Sequence, residues 1–138
     1  MRALFVGLVL ALVTGCKPPP DALVTRCETV FFAANDARSC TVAVERFADK
    51  PALAALRTES RNFKVHVKLS LTLAAGEVQA SLRGGEGVVW TSTLTPGAPA
   101  AVEADVALNR NTQSFTLELA PLRGAPSGLT GTVEHHAI

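Results

Sequence analysis

The stretch Phe63-Lys64-Val65-His66-Val67-Lys68-Leu69-Ser70-Leu71-Thr72-Leu73 alternates apolar and polar side chains without a break. A strand sends successive side chains to opposite faces, so strict period two is the pattern of a half-buried strand. Phe63, Val65, Val67, Leu69, Leu71 and Leu73 form its inward set. Lys64, His66, Lys68, Ser70 and Thr72 face solvent.

Downstream the same period recurs. Val78, Ala80 and Leu82 form the next inward set, and Leu73 opposite Val78 lets both sets share a face across the loop Ala74-Ala75-Gly76-Glu77. The loop Arg83-Gly84-Gly85-Glu86-Gly87 leads into a strand from Val88 to Leu94, with Leu82 opposite Val88 and Ala80 opposite Trp90. A small residue there makes room for a large one, which predicts a core position for Trp90. After Pro96-Gly97-Ala98-Pro99, Val102, Ala104 and Val106 are expected to face Leu119, Leu117 and Phe115 across a tight turn at Arg110-Asn111. Pro121 to Gly128 reads as a loop, and Leu129 to Glu134 as a last short strand.

Upstream the pattern is less regular. Leu23, Cys27, Val30, Phe31 and Ala34 fall on one helical stripe, although the β-branched Val24, Thr25, Thr29 and Val30 make a strand the rival. Cys40 to Phe47 reads as a strand, and Asp49-Lys50-Pro51 as the start of a short helix through Leu53 and Leu56. Seven strands with frequent turn signals predict a mainly β fold, a two-sheet antiparallel β-sandwich with one or two short helices near the N-terminus. Cys27 and Cys40 both precede Trp90, whereas immunoglobulin domains bracket their tryptophan between the two cysteines.

Little in this pattern offers chemistry. His135 and His136 are adjacent, so a strand would point them apart; they read as surface histidines at a chain end and not as metal co-ligands. Gly84-Gly85-Glu86-Gly87 lacks the Lys-Ser/Thr and the helix of a phosphate loop. Glu103 and Glu118 would face each other in the expected register, with Asp105 nearby. A carboxylate pair can serve glycoside hydrolysis, but the aromatics that would stack a sugar are missing from the outward positions. No catalytic residue, metal ligand or cofactor site is assigned. Charge is patterned instead: Arg61, Lys64, His66, Lys68 and Arg83 gather on one expected hairpin, with Lys68 opposite Arg83, while Glu103, Asp105 and Glu118 gather on another. Either the two sets neutralise each other across one sheet, or they form a basic and an acidic face for docking. The basic set is the candidate interaction face.

The N-terminal stretch runs from Arg2 through an apolar core of about eleven residues, too short for a spanning helix of about 20, and ends in Val13-Thr14-Gly15-Cys16. This resembles the signal peptide and lipobox of bacterial lipoproteins. The resemblance implies cleavage before Cys16, lipid attachment to its thiol, and anchoring in the cell envelope. Lys17, where aspartate is the inner-membrane retention signal in enteric bacteria, implies the outer membrane. Residues 1–15 are then the signal, 16–21 a lipidated cysteine with a stiff Pro18-Pro19-Pro20 spacer, and 22–138 one domain. Removing 15 of 138 residues leaves 123, and losing Arg2 from 13 basic residues leaves 12 against 12 acidic ones. That balance argues against nucleic acid as the partner. In an exported chain Cys27 and Cys40 pair most simply as a disulfide, worth about 3 kcal/mol for a loop of about 14 residues. The expectation is a non-catalytic interaction module on a lipid tether, with a protein partner in the envelope. The alternatives are an accessory anchor subunit of an envelope or secretion assembly and, more remotely, a small envelope hydrolase.

Overall fold

A computed structural model describes residues 18–29, 37–58 and 63–138. Eight strands follow one another: β1 (Leu23–Thr29), β2 (Arg38–Arg46), β3 (Ala52–Arg57), β4 (Lys64–Thr72), β5 (Ala75–Gly84), β6 (Gly87–Leu94), β7 (Ala100–Ala107) and β8 (Ser114–Ala137). All pairings are antiparallel. The last strand organises the rest. Its first half lies between β3 and β5, and its second half lies between β2 and β4. One layer therefore runs β1-β2-β8-β4-β7, the other β3-β8-β5-β6.

The crossing occupies the segment expected to be a loop. Pro121 to Gly128 stays extended and paired, but Gly124, Ala125 and Gly128 take left-handed φ values of 71°, 45° and 66° and turn the chain from one layer to the other. Glycine reaches that region without the steric cost of a Cβ. The core fills the space between the layers with Val65, Val67, Leu69 and Leu71 from one side and Val78, Leu82, Phe115, Leu117 and Leu119 from the other. Val65 to Leu73 and Val78 to Leu82 of the period-two inward sets are thus buried, whereas Phe63, at the start of the first set, is 53% exposed.

Several expected partners differ. β4 does not pair with β5: Leu71 lies opposite Ala100 and Gly131. Nor does β7 pair with β8. Beyond the single bridge Asn109–Ser114 the two strands diverge into opposite layers. Alternation decides which face a side chain takes, but a hairpin and an arch between layers satisfy it equally. The β5–β6 hairpin forms, with a bulge between Leu82 and Arg83 that moves Leu82 opposite Trp90 and Ala80 opposite Ser92. Trp90 packs against the core but is only half-buried.

Neither helix forms among the described residues. Residues 23–29 are the edge strand β1; Val30, Phe31 and Ala34 lie outside the described residues. The spacing Leu23 to Cys27 is four, an even number, and so fits a strand face as well as a helical stripe. Register puts Cys27 opposite Cys40, and the two form the expected disulfide. In β3, Leu53 and Leu56 are three apart and take opposite faces: Leu53 is 62% exposed and Leu56 buried.

Close packing within a layer falls on Gly131, between Val42 and Leu71. A Cβ there would sit 2.3 Å from the Ser70 carbonyl oxygen, a backbone atom that cannot yield cheaply. Gly131→Ala should therefore lower unfolding stability by about 1–3 kcal/mol, the usual cost of overpacking. Denaturant titration checks this; an unchanged midpoint would show that the β4–β8 spacing is looser than described.

Candidate interaction surfaces

The expected basic face is divided by the fold. Lys64, His66 and Lys68 stand on the outer side of β4, in the first layer, while Arg83 stands on β5, in the second. Lys68 consequently does not oppose Arg83, and Arg61 lies outside the described residues. The acidic set is divided in the same way. Glu103 and Asp105 lie on β7 beside β4, and Glu118 lies on β8 beside β5. Glu103 and Glu118 therefore occupy outer faces of different layers, which removes the paired-carboxylate geometry.

Each set meets the other across a strand boundary. The His66 Nδ1–H donates to Asp105 Oδ1 at 2.8 Å, and His66 Nε2 lies 3.8 Å from Glu103. Lys68 Nζ approaches Glu103 at 3.9 Å, and Arg83 reaches Glu118 at 3.3 Å. Opposite charges on adjacent strands are the sheet's ordinary stabilising pairs. His66, Lys68 and Arg83 of the expected basic set thus each stand beside a carboxylate.

The histidines divide as strand parity requires. His136 faces outward, its ring 5.3 Å from that of His66. His135 turns inward, is only 2% exposed and packs edge-on against Phe115 at 5.2 Å. The expectation of a surface residue fails for His135 because β8 runs on to Ala137 and Val133 sets its parity. Among the described residues no three His, Cys, Asp or Glu side chains are placed to share a metal ion.

The two ends of the sandwich differ. At one end Pro18–Pro20 joins the fold: the Arg46 N–H donates to the Pro20 carbonyl at 2.9 Å, beside the β8 crossing. At the other end lie Arg57, Lys64, the Gly85-Glu86 turn and the loop 109–113. That loop is a braced ridge. Asn109 Oδ1 accepts from the N–H groups of Asn111 and Thr112, and the Gln113 N–H donates to the Asn109 carbonyl at 2.7 Å. Gln113 itself is held at a φ of 50°. A shallow hollow opens on each side of the ridge. One is lined by Phe63, Lys64, Glu86 and Arg110, the other by Arg38, Arg57 and Thr58. Charge counting over the expected hairpins could not find this cluster, because its residues come from five separated chain segments.

No family model matches the chain, and no curated protein matches its sequence. Three solved structures show the level of likeness found. A subunit structure of the disulfide-linked pili of Bacillus endospore appendages is 11% identical, with a TM-score of 0.47, covering 91% of this chain and 97% of that one. A xylan-binding domain from Paenibacillus barcinonensis is 12% identical, with a TM-score of 0.46 and coverage of 83% and 81%. A C-terminal carbohydrate-binding module from Zobellia galactanivorans is 12% identical, with a TM-score of 0.41 and coverage of 82% and 99%. Likeness of this degree bears no weight in assigning a function to this chain.

The ion pairs of the outer faces are solvated, with side-chain exposures of 53% and 26% for Arg83 and Glu118. A double-mutant cycle on Arg83→Met and Glu118→Gln should give a coupling below about 1 kcal/mol, as exposed pairs do. A coupling above about 2 kcal/mol would mean that this pair holds the second layer together.

Proposed function

We propose that the chain is a lipid-anchored protein of the bacterial cell envelope, probing its surroundings by binding and not by catalysis. The anchor reading rests on Val13-Thr14-Gly15-Cys16 and on the spacer that follows. One or two acyl chains on Cys16, at roughly 0.8 kcal/mol for each buried methylene, give a durable hold only in combination. The Cys27–Cys40 disulfide supports an oxidising compartment.

The observation that carries the binding reading is the position of the tether. Pro20 is held at Arg46, the end of the sandwich opposite the ridge 109–113. A sandwich anchored at Cys16 turns its hollowed end away from the membrane, toward whatever the envelope contains. On its outer faces His66 stands beside Asp105 and Glu103, Lys68 beside Glu103, and Arg83 beside Glu118. Lys17 favours the outer membrane.

The test is Cys16→Ser in the producing bacterium. Metabolic labelling with palmitate should disappear and the chain should accumulate as an uncleaved precursor. A variant that is still cleaved and membrane-bound would place the anchor elsewhere and overturn the reading.

A further inference from the structure

We infer that copies of the chain join side by side into rows, β6 of one copy pairing antiparallel with β3 of the next, so that the second layer runs on from copy to copy. This names the partner in the interaction reading above, a second copy of the chain, and rests on the lipid anchor only for holding the copies at one height.

The free edges of the sandwich are not alike. Among the described residues β1 pairs only with β2, β7 only with β4, β3 only with β8 and β6 only with β5. An unpaired edge is a template for another strand, and charged side chains along it discourage that use. The first layer is guarded in this way, by Arg26 and Glu28 on β1 and by Glu103 and Asp105 on β7. From Gly87 to Leu94 β6 has no charge and no proline, and β3 has none from Ala52 to Leu56. The same two strands carry Leu53, Val88 and Val89, three of the large apolar side chains that are exposed among the described residues.

Strand count decides that these two edges fit each other. β6 and β7 lie on one side of the sandwich, β1 and β3 on the other. The second layer has four strands alternating in direction, so its edges β3 and β6 run oppositely. A copy placed alongside without being turned over therefore brings its β3 antiparallel to β6. The five strands of the first layer end in β1 and β7, which run the same way and could meet only in parallel. Level rows of residues cross the second layer: Leu53-Glu118-Ser81-Thr91, Ala54-Leu117-Leu82-Trp90 and Ala52-Leu119-Ala80-Ser92. Each row already contains three pairings. Antiparallel pairings alternate between those that exchange hydrogen bonds and those that do not. The two ends of a row therefore either both offer N–H and C=O groups outward or both do not. Continued into the next copy, every row keeps its face and its hydrogen-bonding alternation.

In that register Thr91 meets the next copy's Leu53, Trp90 its Ala54 and Ser92 its Ala52, and no charged side chain is among them. Trp90 packs on the core but is left half-buried at the edge. A small alanine beside it lets the neighbouring strand close over the indole. Three rows make a short join. Copies tethered to one membrane meet at a high effective concentration, where a short join suffices. At about 4.8 Å per strand the second layer spans about 19 Å and the first about 24 Å, so the row curves in the membrane plane with the first layer outside.

The experiment places Leu53→Cys and Thr91→Cys together in the full-length chain and oxidises native membranes of the producing bacterium with copper phenanthroline. Both side chains are exposed on the outer face, so the core is untouched, and directly opposed residues on paired strands lie within disulfide reach. The double variant should give a ladder of covalent oligomers on a non-reducing gel, because each copy carries one cysteine for each neighbour. Either substitution alone should leave monomer. Dimers from Thr91→Cys alone would mean that β6 pairs with β6, and would overturn the arrangement. So would adducts whose masses are not multiples of the chain, or no ladder at all. In the unsubstituted protein taken into detergent, Trp90 emission should shift to the red on dilution as the neighbour leaves; an unchanged spectrum overturns the join. The same membranes are scored for palmitate on the chain, which separates the two failures. Lipidated protein without a ladder overturns the row and leaves the anchor standing; an unlipidated chain overturns the anchor, and the ladder still decides the row.

Discussion

One strand belongs to both layers, and the rest of the molecule depends on it. Ser114 to Ala137 gives Phe115, Leu117 and Leu119 to one wall of the core, then Leu129, Val133 and His135 to the other. The inward side chains of a single continuous strand therefore face each other across the interior, and the contact of Phe115 with His135 closes that span. Separately, β3 and β6 are edge strands of a small layer, and a few-stranded sheet without a second layer is marginal in water. The crossing at Gly124, Ala125 and Gly128 makes each layer the other's cover. It also fixes which loops share an end: the crossing, the tether and Phe47 lie at one, the ridge 109–113 at the other.

Much of this was legible in the residues, and the rest was hidden for a definite reason. Period two identifies the buried side chains from Val65 to Leu73 and from Val78 to Leu82, because within a strand burial follows the face a residue takes; Phe63 and Val88, at strand ends, are exposed instead. Pairing depends on which strand lies alongside, and on that the alternation is silent. Leu73 can meet Val78 across a hairpin, or the two can face the same core from opposite layers, with no change in pattern. The loop reading of 121–128 failed because prolines and glycines punctuate that stretch. There they bend a strand instead of ending it. The short helix at Leu53 failed because a six-residue segment holds too few periods to separate a spacing of two from one of 3.6, and edge pairing with β8 decided the matter.

The site was less legible than the fold. Of the candidate basic face, Arg83 lies in the second layer, apart from Lys64, His66 and Lys68, and His66 and Lys68 stand beside Asp105 and Glu103. Lys64 alone of that set also lines a hollow. Arg57 and Arg110, which also line the hollows, carry no local motif; they become neighbours of one ridge only through the arches that join the layers.

The shared strand can be tested directly by hydrogen exchange of backbone amides, read residue by residue in the native protein. If Ser114–Ala137 is one structural unit, the paired amides around Leu117 and around Val133 should exchange with the same opening free energy, equal to that of global unfolding. Exchange of residues 114–120 well ahead of 129–135 would mean that the second layer opens by itself, and would contradict the account.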